Sequence, residues 1–257
     1  MPRGLLFIAS LIYLLLANSV MATTVVNVLA YPFPPFLNDD KKTGLTADII
    51  KLFNKNQSRF DFKLMVVKPQ ERYQPILSGK AHMMLFEMPE WNWQEHENNV
   101  QFSKLLLKGG EVYVAKRHRD QLRFDFEQIE NRRIMAYEGY HYTFADMNAD
   151  QNWLKSNFNI AFTNSHPHML KAVKSGEVDI AVVTLSFLKQ YFHDNPQDLL
   201  TYVISQQFAQ VYKLRALVAK ESPLKLTELE DLLHNLKNNN ALQPVLETYG
   251  VLRQWQF

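Results

Sequence analysis

From residue 24 to the C-terminus, short apolar runs alternate with stretches of helical period. Val25-Val26-Asn27-Val28-Leu29-Ala30 reads as a buried strand that breaks at Tyr31-Pro32-Phe33-Pro34-Pro35-Phe36, where prolines remove backbone donors. Leu45, Ile49, Leu52 and Phe53 fall on one helical face, predicting a helix through Asn56 with Thr46 as its N-cap. Residues 60–67 begin with strand-like alternation. A short helix over about 71–78 stops at Gly79, and HMMLF (82–86) is a second buried strand. Strands and helices interleaved at this spacing predict a parallel α/β sheet.

The second half repeats the phrase. ILSGKAHMMLFE (76–87) and VKSGEVDIAVVT (173–184) each run from a helix end through Ser-Gly and a charged residue into a buried strand that ends on a polar residue. This predicts an α/β fold of two lobes of similar plan. Gly110 to Lys116 and Gln206 to Lys220 are extended segments able to join them as a two-strand hinge. The expected division is lobe 1 from 23–115 and 208–257, with lobe 2 from 116–207. Two C-terminal helices, about 225–238 and 241–249, are expected to return to lobe 1. Such a hinge permits the lobes to close on a ligand in the cleft.

Composition narrows the class. The 257 residues are 47% hydrophobic, with 28 basic against 26 acidic side chains and no cysteine. No basic face for nucleic acid is evident, and Lys116-Arg117-His118-Arg119 reads as a solvated strand end. Without cysteine, disulfides, iron–sulfur clusters, thiolate zinc sites and a lipid-modified cysteine are excluded. Met1-Pro2-Arg3, an apolar run from Gly4 to Ala17, and Val20-Met21-Ala22 have the three-part layout of a secretory signal, with cleavage expected after Ala22. An uncleaved anchor is the alternative. The expected compartment is the periplasm, and the expected state a monomer.

YPFPPF after the first strand, GLTADIIKLFNK (44–55), ILSGKAHMM (76–84), VQFSKLLLKGGEVYVAK (100–116) and VKSGEVDIAVV (173–183) follow one another in an order that resembles the family 3 extracytoplasmic solute-binding proteins. Their fold is the type II periplasmic binding protein fold. Each stretch alone is a generic α/β joint, and the order carries the likeness. KPQERYQPILSGK also looks like a subgroup whose short helix begins with Pro, two residues and Arg. The resemblance implies capture of a small polar solute, often an amino acid, for an ABC-type importer or for a membrane sensor.

Amino-acid-binding members of that family grip the α-carboxylate with an arginine just before an FS pair, and the α-ammonium with an aspartate ending the lobe 2 strand. Here no arginine lies between Glu87 and Phe102, His96 or its neighbours take the first position, and Thr184 takes the second. A bidentate guanidinium contact and a buried charge pair are strong anchors, so the usual α-amino-acid grip is not expected.

Ligands of open α/β sheets sit beyond the carboxyl ends of the strands. The strand ends here supply Tyr31, Phe33, Phe36, Trp91, Trp93, Tyr140 and Tyr142. From these, Tyr31, Phe36, Trp91, Trp93, Tyr140, Tyr142 and Thr184 are candidate ligand-binding residues. Arg72 is the candidate anchor for an anionic group, with Arg72→Ala expected to abolish binding without unfolding. Glu87 and Glu138, with flanking aromatics, are candidates for an amine. No cofactor or metal is expected, because HExxH, GxSxG and a phosphate-binding glycine loop are all missing. An enzyme is not the expectation; a dehydratase-like member and a degenerate binder remain as alternatives.

Overall fold

The computed structural model describes residues 23–118 and 124–257. The signal-peptide reading, with cleavage after Ala22, lies outside the described residues. Among those described, no helix is long and apolar enough to cross a membrane.

Among the described residues, nine strands form one sheet in the order β2-β1-β3-β9-β4-β7-β5-β6, with β8 pairing β4. Lobe 1 holds β1 (Thr24–Ala30), β2 (Phe60–Val66) and β3 (Met83–Glu87), with helices α1 (Leu45–Asn56) and α2 (Tyr73–Leu77). Lobe 2 holds β5 (Ile134–Tyr137), β6 (Ile160–Thr163), β7 (Ile180–Thr184) and β8 (Tyr202–Ile204), with α3 (Gln151–Asn157), α4 (His166–Ser175) and α5 (Leu185–Asp194). Two strands belong to both: β4 (Val100–Lys116) and β9 (Gln210–Ala219). β4 pairs β9 from Val100 to Glu111, then β7 from Glu111 and β8 from Val114. The C-terminal helices α6 (Leu226–Asn238) and α7 (Gln243–Thr248) pack on α1. The architecture is the two-lobe α/β fold expected from the sequence.

Local chemistry explains the joints. β1 is paired on both edges, parallel to β2 and β3, and residues Val28 to Ala30 are buried; strands of a parallel sheet are buried on both faces, which is why its apolar run is nearly continuous. α1 begins differently from the sequence expectation. Its N-cap is Gly44, and Thr46 is buried inside the helix. The N–H groups of Leu45 and Thr46 instead donate to the carbonyls of Pro35 and Phe36. The proline-rich loop thus satisfies the first turn, and no side-chain cap is needed.

Candidate functional site

The loops at the carboxyl ends of β1, β3 and β5 meet between the lobes, against β9. Tyr31, Phe33, Arg72, Trp91, Tyr140, His141 and Tyr212 line a cavity of about 10 Å³ there, room for about one water. Phe33 is at the centre of the rings. Its centroid lies 5.8 Å from Trp91, 5.6 Å from Tyr140 and 5.6 Å from Tyr212, all edge to face, and 4.8 Å from Phe36. This is the arrangement that ring quadrupoles favour.

Arg72 is only 1% exposed. Its Nε donates to the Pro69 carbonyl at 2.7 Å, Nη1 to the Tyr31 hydroxyl at 2.8 Å, and Nη2 across the lobes to the Gly139 carbonyl at 2.8 Å. Tyr31 in turn donates to Glu87 Oε1 at 2.6 Å, and Trp93 Nε1 donates to Oε2 at 2.6 Å. Arg72 and Glu87 lie 3.7 Å apart. Burial raises the Glu87 carboxyl above its usual range, against the pull of Arg72, Tyr31 and Trp93. The four side chains form one closed network in which each carboxylate oxygen already accepts a hydrogen bond.

Further hydrogen bonds tie the lobes together, among them one from the His166 N–H to Asp39 Oδ2 at 2.9 Å. Tyr140 donates to the Pro32 carbonyl at 2.6 Å, Thr184 donates to the Pro34 carbonyl at 2.9 Å, and Gln210 Nε2 donates to the His141 carbonyl at 3.1 Å. Thr184 also caps α5 by accepting from the Phe187 N–H at 3.3 Å. Gly139 is required here. Its φ is +77°, and a Cβ would come within 2.6 Å of Gln70 Oε1 and 2.9 Å of its backbone nitrogen.

Two buried polar groups retain unused capacity. Tyr73 donates to the Trp91 carbonyl at 3.1 Å, so its oxygen accepts from His141 Nε2 at 3.3 Å. That leaves His141 Nδ1 as a bare acceptor, and it has no partner among the described residues. Burial, with Arg72 nearby, lowers the imidazole pKa to about 3, so the ring is neutral. Glu111 on β4 is 1% exposed, and among the described residues its Oε2 is unpaired. Burial pushes this carboxyl up to about 8, the Tyr212 hydroxyl acting the other way. It is therefore mainly protonated at neutral pH.

Of the sequence candidates, Tyr31, Arg72, Trp91 and Tyr140 line the cavity. Glu87 and Trp93 lie behind Tyr31 and Arg72. Phe36 stacks between Phe33 and Phe86. Tyr142 bonds to the backbone of Tyr137 within lobe 2. Glu138 is half-buried and lines a separate lateral groove with Asp39 and Asn164. His96 stacks near Tyr73 and Trp93, centroids 5.9 and 6.1 Å away. Sequence reasoning does not single out His141, Tyr212, Gln210 or Glu111. The one signal for His141 is its place between Tyr140 and Tyr142. Among the described residues, no cluster of His, Asp and Glu is placed to hold a metal ion.

No protein-family model matches the chain, and no curated protein matches it. Solved structures do. The chain is similar to the GluR0 ligand-binding core from Nostoc punctiforme in complex with L-glutamate, at 15% identity and a TM-score of 0.65 over 87% of this chain and 98% of that one. It is similar to the substrate-binding protein of an amino acid ABC transporter, at 18% identity and a TM-score of 0.64, covering 88% and 98%. A histidine kinase sensor domain with similarity to periplasmic binding proteins gives 15%, 0.64, 90% and 97%. The fold is that of the family 3, type II periplasmic binding proteins.

Proposed function

We propose that the protein is an extracytoplasmic solute-binding protein that takes a small polar ligand between its lobes, in the periplasm, for an ABC-type importer. The observation that carries this reading is the interlobe cavity. Groups from both lobes and from β9 converge on it, and hydrogen bonds between loops of the two lobes close over it. The aromatic rings supply contact area, and His141 Nδ1 accepts from a ligand O–H or N–H. Arg72 and Glu87 already balance each other, so the ligand brings little net charge and is not held by an α-amino-acid grip. The signal-like N-terminus and the likeness to transporter-binding proteins support the assignment. The likeness to a sensor domain makes a membrane sensor the alternative partner.

A degenerate cleft is the second reading, and one observation favours it. Phe33 fills the space between the rings, leaving about 10 Å³. Thermal unfolding of the purified protein against amino acids, amines, peptides, sugars and organic acids separates the two. A ligand at 100 times its Kd stabilises the native state by about 2.7 kcal/mol. A shift with a sugar or another non-amino-acid solute of little net charge supports the binding role as stated, and a shift with an amine contradicts the charge balance at Arg72 and Glu87. An L-amino acid that shifts the midpoint contradicts the account of Thr184, and no shift from any compound leaves the degenerate cleft.

A further inference from the structure

A larger groove lies beside the hinge, separated from the aromatic cavity by Tyr212, the one residue that lines both. Its volume is about 540 Å³, within the range of small-molecule sites. The walls come from both sides of the hinge: Phe36, Leu107 and Val251 from lobe 1, Leu185 and Ser186 from the start of α5, Phe208 and Val211 from the approach to β9 and its first turn of strand. The lining is mainly apolar, and part of it is open to solvent, with Phe208 45% and Val211 57% exposed. Gly110 lets Phe208 lie against the strand, since a Cβ there would run into the Phe208 ring and the Gln210 carbonyl.

The charge around the groove has one sign. Lys108, Lys189 and Lys213 line it, no acidic side chain among the described residues does, and all three lysines are exposed. Among the described residues none of them has a carboxylate in salt-bridge range. The positive end of the α5 helix dipole opens onto the same space. An apolar trough with unpaired cations and a helix N-terminus at its edge complements a molecule with an apolar body and an anionic head.

We propose that this hinge-side groove is a second binding site, for a small amphipathic carboxylate whose apolar body lies against Phe36, Leu185 and Val211 and whose head is held among Lys108, Lys189 and Lys213. The site is distinct from the interlobe cavity, with Tyr212 as the wall between the two.

Calorimetric titration with octanoate tests it. One saturable site is expected, with 1-octanol binding about tenfold more weakly for want of the charge. The double variant Lys189→Glu, Lys213→Glu is expected to weaken octanoate by more than that. Both positions are exposed, and an unchanged circular dichroism spectrum confirms the fold. Val211→Glu should abolish binding by placing a carboxylate in the trough, while Trp91→Phe, in the other cavity, should leave it intact. Absence of saturable binding overturns the proposal, as does equal affinity for octanol. So does octanoate binding that falls with Trp91→Phe and survives the lysine changes. A wild-type dimer dispersed by Val211→Glu in sedimentation would put a second copy of the chain in the groove and would equally overturn it.

Discussion

Replacing Arg72 with alanine removes three hydrogen bonds and, among the described residues, the one cation paired with the buried Glu87 carboxylate. Breaking one side of a buried pair costs about 3–5 kcal/mol, because the remaining charge is left without a partner. The expectation from the sequence, that this variant loses binding without unfolding, therefore comes with a stability cost at this burial. Urea denaturation should show a loss of that size, and Arg72→Ala combined with Glu87→Gln should recover part of it, since the amide needs no counter-charge. An Arg72→Ala variant as stable as wild type would mean that Glu87 is already protonated in the fold. Glu111 gives the second prediction at this scale. Its pKa rises from 4.5 unfolded to about 8 folded, so the native state holds the extra proton between those values. The stability it contributes is fully present below pH 4.5 and is lost as pH rises through 8. Glu111→Gln should match wild type in acid and exceed it by a few kcal/mol at about pH 9, because each tenfold difference in proton affinity between the two states is worth about 1.4 kcal/mol. Parallel stability curves for the two proteins across this range would refute the burial argument.

At the scale of elements, what can be read in the sequence is whatever depends on near neighbours. Periodicity locates α1, β2, α6 and α7 closely, because each presents a repeating apolar face to one layer, and an unbroken apolar run locates β3. The start of α1 escapes it because the first N–H groups are satisfied by the Pro35 and Phe36 carbonyls, a tertiary contact with no sequence signature. The same holds for the site. Aromatics at strand ends are visible as candidates. Tyr212 and Glu111 join them only through the crossing of β4 and β9, two strands far apart in the chain. Gly139 marks the loop where this matters most. Gly139→Ala strains a positive φ and drives a Cβ into Gln70 on the facing lobe. Each lobe keeps its own strands, so the expected result is a molecule with separated lobes rather than an unfolded one. Small-angle scattering should report a larger radius of gyration while far-ultraviolet circular dichroism is retained; loss of both signals would show that the lobes do not fold apart.

At the scale of the whole molecule, the proposed binding role turns on the balance between closed and open lobes. The closed geometry leaves room for about one water between them, so a solute of several heavy atoms is held only when the lobes or the Phe33 ring give way. Two of the contacts opposing that movement are the Tyr140–Pro32 and Thr184–Pro34 hydrogen bonds. Each contributes about 0.5–1.5 kcal/mol net, so together they bias the equilibrium toward closure by roughly 5- to 150-fold. Whatever fraction of molecules is open multiplies directly into the apparent affinity. Tyr140→Phe with Thr184→Val deletes both hydroxyls while keeping most of the packing volume. The pair should widen the mean lobe separation in scattering, and it should tighten the apparent Kd of any solute that shifts the wild-type unfolding midpoint by a comparable factor. If the separation does not change, the edge-to-face packing around Phe33 holds the lobes by itself, and Phe33→Ala is then the substitution that opens the cleft. A wider separation with weaker solute binding would instead mean that both hydroxyl contacts persist in the loaded state, making them part of the ligand's own closure rather than a barrier to it.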